Sequence, residues 1–448
     1  MAKTAGIGVC GSDKNEGAVT GELVAAGIEM EYGAQDGKFL KQKYDQNEVD
    51  WFVYTSALPA EHPELKLAKK LGLRISKRDE LIAYLVDILD LKMVAVAGTH
   101  GKTTTTAMII WTALSLGMPI SYLVGSTLPF AESGKYDPES KFLVYEADEY
   151  DRNFLHFFPW LSVITTVSYD HPDIYKTKLD YLRAFAKFEG QSENVIRGRE
   201  LEGKSVVEGA GENIDFADKF TLAGAARRYD AGLSMQAIFE MVEELDMVEA
   251  KESLIEAGAA ESGFGVGEKM GAADGLVEAR AKSYAGRKID EKLVVEILND
   301  FPGAGRRFEI IHDMIYSDYG HHPEEIAATV EMALEEAKKK QAKGVVVVYE
   351  PHQNVRQYEV FEGYKDAFSG VDKLFWLPTY LVREDPTLKV LTPEDFIESL
   401  SNKESGVAAE VGPMLAKELQ QLRDEGYLIL LMTAGPADKW LREEVFND

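Results

Sequence analysis

The stretch from Met93 to Gly117, MVAVAGTHGKTTTTAMIIWTALSLG, constrains this chain more than any other. Met93 to Ala97 are small and apolar, as a central parallel strand requires, and Thr103 to Leu116 carry apolar residues at helical spacing until Gly117 stops them. A strand, a glycine turn and a helix in that order make a phosphate cradle, here built from Gly98, Thr99, His100, Gly101, Lys102, Thr103 and Thr104. The glycines let backbone N–H groups approach phosphate oxygens, and the helix N-terminus adds positive potential. Lys102 reaches the outer phosphates, and the Thr103 hydroxyl suits a magnesium ion. An ordinary structural turn needs no Lys-Thr pair at this point. The general nucleotide pattern G-x-x-x-x-G-K-[ST] asks for glycine at position 96, where this chain has Val96.

Around the cradle the chain alternates strand and helix signals, which implies an α/β fold with parallel sheets. Residues 1 to 89 read as a small α/β region: GIGVCGSD, a helical VTGELVAAG, a strand-like IEMEYG, a strand at Asp50 to Thr55 and a helix through Lys66 to Leu71. Beyond the cradle, Lys141 to Tyr145 form a second apolar strand that delivers Glu146-Ala147-Asp148-Glu149-Tyr150-Asp151 at its end. Ligands of open α/β sheets bind at that edge, and carboxylates there are placed to hold Mg2+ through oxygen, although a solvated acidic turn would read the same. A third strand, Leu161 to Val167, ends in Ser168-Tyr169-Asp170-His171-Pro172-Asp173, a second metal- or phosphate-facing candidate. Residues 246 to 288, rich in Gly, Ala and Glu, read as helix and loop.

Later segments repeat the arrangement. Phe301 to Glu309 is a glycine turn carrying Arg306 and Arg307, a fork able to grip phosphate. Met314 to Tyr316 lead as a short strand into Ser317-Asp318-Tyr319-Gly320-His321-His322-Pro323, and core packing does not account for two histidines and an aspartate there. Strands at Val345 to Tyr349, Val371 to Leu377 and Tyr427 to Met432 follow, leading into polar loops at Pro351-His352-Gln353-Asn354 and Thr433 to Asp438.

A formal charge of −27 argues against a nucleic-acid partner and requires any anionic ligand to be received by local donors. The single Cys10 excludes an internal disulfide and fits a reducing compartment. No run approaches the roughly 18 apolar residues of a membrane span, and the N-terminus lacks a secretion signal, so the expectation is a cytoplasmic protein without membrane insertion.

Several of these motifs resemble one family. G-T-x-G-K-T with its first glycine closer in resembles the Mur ligase and folylpolyglutamate synthase superfamily, and His100 with the threonine run 103 to 106 resembles its UDP-N-acetylmuramate:L-alanine ligases. E-A-D-E-Y-D, then D-H-P-D-I-Y from 170, G-R-R-F-E at 305 to 309 and Y-x-D-Y-G-H-H-P at 316 to 323 are similar to that family's signatures, in the same order. Murein tripeptide ligases share part of this set but usually carry an extra segment after E-A-D-E-Y-D that is missing here.

The resemblance implies three domains: a UDP-substrate domain at 1–89, a central P-loop ATPase at 90–302 and an amino-acid and ATP-closing domain at 303–448. The outer two would be Rossmann-like, with hinges near residues 90 and 302. It implies ATP with Mg2+ or Mn2+, and UDP-N-acetylmuramic acid and L-alanine as substrates. By the same resemblance Glu146 and His171 join Thr103 as metal ligands, with Asp170 supporting. Arg307 covers the γ-phosphate, Asp318 contacts ATP, Asn213 contacts the adenine side, and His321 and His322 line the substrate cleft. Ser12 and Asp13 resemble a substrate-binding G-S-D but could equally cap the next helix. The family's N-terminal G-x-G-G-x-G-M loop is missing, leaving either a shortened UDP site or a plain turn at Gly6, Gly8 and Gly11. P-H-Q-N-x-R also replaces the family's P-H-R-Y-x-R. A tripeptide-adding or other amino-acid ligase, and a non-catalytic nucleotide-binding regulator, remain the alternatives. The oligomeric state is not legible.

Overall fold

The computed structural model describes residues 1–16, 18–56, 58–171, 174–197, 219–256, 282–284, 287–381, 384 and 387–446. The chain packs as two units, one of Met1–Val124, Glu132–Ile214 and Ala231–Phe301, the other of Gly125–Ala131, Asp215–Asp230 and Pro302–Asp448.

In the first unit a six-stranded sheet runs in the order Asn194–Arg197, Leu161–Ile164, Lys92–Ala97, Phe142–Glu146, Ser121–Leu123, Gly134–Lys135. All pairings are parallel except the last. Lys92–Ala97 is buried from Met93 onward, which is why its sequence is continuously apolar rather than alternating. Its neighbours on either side are the two strands that end in the acidic turn and in the Asp-His turn, so all three C-terminal ends lie side by side.

The helix after the cradle, Lys102–Ser115, contains a run of β-branched threonines that propensity disfavours. Tertiary burial overrides that preference. The hydroxyls of Thr106 and Thr112 donate to the carbonyls of Lys102 and Met108, both at 2.8 Å, so these two are satisfied four residues back. Trp111 ties the helix to Glu291–Asn299 by donating from Nε1 to the Ile297 carbonyl at 2.8 Å.

Residues 1–89 pair in parallel, as strands alternating with helices imply, but not in one sheet. Among the described residues they form two separate parallel pairs, Cys10–Asp13 with Glu29–Tyr32 and Trp51–Tyr54 with Arg74–Lys77. The first three of these strands are four residues long and hold no fully buried residue. The helices between are Ala18–Ala25, Lys38–Asp45, Pro63–Leu71 and Arg78–Ile88. Pro63 opens its helix and Gly72, at φ 71°, closes it.

The second unit holds another six-stranded sheet, ordered Glu309–His312, Ile315–Asp318, Leu428–Thr433, Val345–Glu350, Lys373–Trp376, Gly406–Ala408. The first pair is an antiparallel hairpin and the rest is parallel. The hairpin was not legible because its turn puts Met314 at φ 66°, a position that usually announces itself as glycine or asparagine. Helix Pro323–Lys339 covers the sheet through Ile326, Val330 and Ala333, which share a core with Val345, Val347 and Leu430. Trp376 anchors that core, stacked on Phe396 at 4.8 Å and edge-on to Tyr349 at 4.9 Å.

Trp376→Ala is expected to destabilise the protein by about 3–5 kcal/mol through cavity formation, read as a lower urea midpoint. A loss under about 1 kcal/mol would mean this aromatic cluster does not hold the unit together.

Candidate active site

Gly98 turns out of the buried strand with φ 143°, and a Cβ there would lie 2.1 Å from Thr165 Oγ1 and 2.9 Å from the Thr166 backbone. Backbone and hydroxyl both take part in the close approach: Thr99 N–H donates to the Thr166 carbonyl at 2.8 Å and His100 N–H to Thr166 Oγ1 at 2.9 Å. Gly101, at φ 81°, then starts the helix without a capping side chain. The first amides of that helix, from Lys102 to Thr104, have no partner within it.

Lys102 donates to the carbonyls of Gly98 (2.6 Å) and Thr99 (3.2 Å) and to Glu149 Oε2 (2.8 Å), using all three ammonium protons. Glu149 is fully buried and also faces His171, whose Nε2 lies 3.5 Å from Oε1. Burial opposes the Lys102 charge, but Glu149 and Asp148 outweigh it and hold the ammonium above its ordinary value. Burial likewise pushes Glu149 up, and Lys102 and His171 bring it net below the usual carboxylate range. His171 rises above its ordinary value: burial depresses it, while the Glu149 hydrogen bond and the Asp170 charge prevail. Asp148 is pushed up by burial and by the adjacent Glu149 charge. His171 adopts φ 56°, a left-handed conformation that its own turn holds with Asp170 Oδ1 accepting the His171 N–H at 2.7 Å.

Thr103 Oγ1 donates to Glu146 Oε1 at 2.9 Å. Two groups proposed from sequence as metal ligands are thus in direct contact, while the third, His171, turns toward Glu149. Sequence reasoning did not single out Glu149, because four acidic residues in Glu146-Ala147-Asp148-Glu149-Tyr150-Asp151 are indistinguishable without the fold. It also gave no role to Tyr175, the last residue of D-H-P-D-I-Y, and passed over Tyr181, which reaches this site from a helix with no motif of its own. In the N-terminal region Ser12 donates to Glu64 Oε2 at 2.7 Å and accepts from Gln35 Nε2 at 3.2 Å. Asp13 accepts from the Asn15 N–H at 3.0 Å.

The second unit has its own cluster. Asp318 is the last residue of its strand rather than part of the loop, and it accepts the N–H groups of Phe308 and Gly320, both at 2.7 Å. Burial pushes its carboxyl up despite those bonds and the Arg307 charge. Arg306, at φ 53°, donates to the Thr433 carbonyl, and Arg307 lies 5.6 Å from the Tyr319 ring centroid. His322 caps helix Pro323–Lys339, its Nδ1 accepting the Glu324 N–H at 3.4 Å, which gives that histidine a structural role. His321 has Nδ1 at 3.1 Å from the Tyr319 carbonyl and receives Arg356 at Nε2. Those partners define the neutral Nδ1–H tautomer. Burial and Arg356 depress its pKa to about 4, against an opposing Glu325. Asn354 is spent structurally, donating to the Lys389 carbonyl and accepting the Leu391 N–H. Asn213, Pro172 and Asp173 lie outside the described residues.

An α/β chain with a P-loop-like turn, and carboxylate and histidine turns on the two flanking strands, defines a nucleotide-dependent enzyme class. The chain belongs to the Mur ligase family. Residues 96–198 match the Mur ligase middle domain and residues 1–88 the domain described as Mur ligase family, catalytic domain. The UDP-N-acetylmuramate–L-alanine ligase of Clostridium acetobutylicum is 31% identical over 85% of this chain and 80% of its own length. The enzyme of the same name from a Hydrogenobaculum species is 30% identical over 98% of this chain and 93% of its own. The crystal structure of UDP-N-acetylmuramate-alanine ligase from Thermotoga maritima shares the fold, with a TM-score of 0.67 at 19% identity, over 100% of this chain and 94% of that one.

The depressed His321 value sets a sign. The unfolded chain binds a proton at His321 below pH 6.5 and the folded one only near pH 4, so the stability it contributes is present above 6.5 and lost as pH falls toward 4. Wild type is expected to lose up to about 3 kcal/mol more than His321→Gln between pH 7 and pH 4, read from denaturant midpoints. Parallel pH curves for the two would refute the assignment.

Proposed function

We propose that this protein is an ATP-dependent ligase that joins the lactyl carboxylate of UDP-N-acetylmuramic acid to L-alanine; its relatives are named UDP-N-acetylmuramate–L-alanine ligases. The observation that carries the reading is Lys102, seated at the head of its helix beside the Thr103–Glu146 pair and opposite Glu149 and His171. The donor set suits Mg-ATP: an ammonium and first-turn amides for phosphate, and a hydroxyl and a carboxylate oxygen for a hard divalent cation. Phosphate oxygens would take over from the carbonyls of Gly98 and Thr99 as Lys102 acceptors. Thr103, Glu146 and His171 would hold Mg2+ or Mn2+, which supplies neutralising charge to the phosphates.

Carboxylates are poor electrophiles, which is why ATP is spent. An oxygen of the substrate carboxylate attacks the γ-phosphorus, its bond to the β–γ bridging oxygen breaks, and ADP leaves. The amine of L-alanine then attacks the acyl phosphate carbon, inorganic phosphate departs and the nitrogen gives up its surplus protons. Catalysis of this kind is chiefly positioning and charge neutralisation. In this reading Gly98 to Thr104 cradle the phosphates, Arg307 covers the γ-phosphate, and Asp318 and Asn213 serve the nucleotide. Ser12 and Asp13 serve the UDP end and His321 and His322 the acceptor cleft. Three functional segments, 1–89, 90–302 and 303–448, belong to the same reading. None of the described helices is long and apolar enough to cross a membrane, and a cytoplasmic location is part of the proposal.

The test is phosphate release from Mg-ATP with UDP-N-acetylmuramic acid against L-alanine, glycine, L-serine and the tripeptide. Release is expected only with the sugar nucleotide and L-alanine together. Release with the tripeptide would move the assignment to the recycling ligases, and none with any donor would refute catalysis. Lys102→Ala should lower ADP formation by at least about a hundredfold, and retained turnover would sink the cradle assignment.

A further inference from the structure

Tyr181 lies on helix Lys178–Gly190, outside every motif discussed above, and its side chain is fully buried. Its hydroxyl is 2.7 Å from Thr99 Oγ1, in the phosphate loop, and 3.4 Å from Glu149 Oε1. Counting protons orients the contact. Thr99 has one hydroxyl proton and Oγ1 lies 2.8 Å from the Ser168 carbonyl, to which it donates, while it accepts the Ser168 N–H at 2.9 Å. Tyr181 is therefore the donor to Thr99, and its one proton is shared with the more distant Glu149 Oε1. Burial and the Glu149 charge raise the phenol above its ordinary value, so that proton stays in place. A second buried tyrosine acts on the same carboxylate residue: Tyr175 donates to the Glu149 carbonyl at 2.5 Å and packs edge-on against Tyr181 at 4.9 Å.

We propose that Tyr181 is a positioning residue for nucleotide binding, its hydroxyl clamping Thr99 of the phosphate loop against the carboxylate that holds Lys102 and His171. The Thr99 carbonyl is itself an acceptor for Lys102, so the loop that Tyr181 fixes is the one against which the ammonium is seated. Tyr181 acts through Thr99 and Glu149, the two groups its hydroxyl contacts. This inference rests on the nucleotide-loop reading above, but not on the identity of the acyl acceptor.

Tyr181→Phe keeps the ring that packs on Tyr175, Tyr169 and Phe185 and removes only the donor. By calorimetry, at a temperature where both proteins are fully folded by circular dichroism, the variant is expected to bind Mg-ADP about tenfold more weakly than wild type. A purely structural role would lower the melting temperature and leave that affinity alone, so equal affinities would overturn the proposal. Thr99→Val removes the same link, and in its background Tyr181→Phe should add less than about twofold, whereas fully multiplicative losses would also overturn it. Thr99→Ser, which keeps the hydroxyl, should bind nearly as wild type, and it tests the link if Tyr181→Phe fails to fold. Wild-type turnover, assayed alongside, reports on the ligase reading separately. A wild type that binds no Mg-ADP would remove the loop assignment on which both depend.

Discussion

The buried pair between Lys102 and Glu149 is the constraint around which the first unit is arranged. Removing two charges from water costs several kcal/mol per ion, and only close pairing with further hydrogen bonds offsets it. Here the further bonds come from the carbonyls of Gly98 and Thr99 on the lysine side and from His171 and Tyr181 on the glutamate side. Lys102, Glu149 and His171 are delivered by three neighbouring strand ends, so the sheet order Leu161–Ile164, Lys92–Ala97, Phe142–Glu146 is what brings them together. Such a pair is weak evidence for stability. It is stronger evidence for a site, because a buried ammonium at a helix N-terminus is useful chiefly to an anion.

The same economy of local charge resolves an apparent conflict. A chain of formal charge −27 repels anions at long range, yet two of its proposed substrates, ATP and UDP-N-acetylmuramic acid, are polyanionic. The answer in the first unit is short-range donors screened from the acidic surface by burial. In the second unit acidic groups bind the basic ones: Arg442 grips Glu309 with two nitrogens, at 3.2 and 2.6 Å, and Asp438 at 2.9 Å. That network fastens the strand carrying Glu309, directly after the Arg306–Arg307 turn, to the last helix. His321, kept neutral beside Arg356, adds a polar group without adding charge.

Much of the architecture was legible because it follows from periodicity. The strands at Lys92–Ala97, Phe142–Glu146, Val345–Glu350 and Leu428–Thr433 lie within a residue of where the apolar runs put them, since a strand buried on both faces has no other composition open to it. In the N-terminal region the parallel pairing was legible, but the division of its short, partly exposed strands into two separate pairs was not. The hairpin at Glu309–Asp318 was missed for want of a turn residue at Met314. At the site, the loop and both polar turns stood out, but a cluster of four carboxylates could not be ordered by inspection.

The sequence by itself determined the α/β class, the glycine-turned loop that presents Lys102, and the polar residues that end its neighbouring strands. All of these depend on residue type and local spacing, which a chain carries whether folded or not. Only the tertiary structure decided that Glu149, rather than another acid of its turn, takes the lysine. It also decided that Thr103 meets Glu146, and that Tyr181, some eighty residues from Thr99, closes the network. Those choices depend on strand order and register, where a one-residue shift points a side chain to the other face, and local sequence does not encode that.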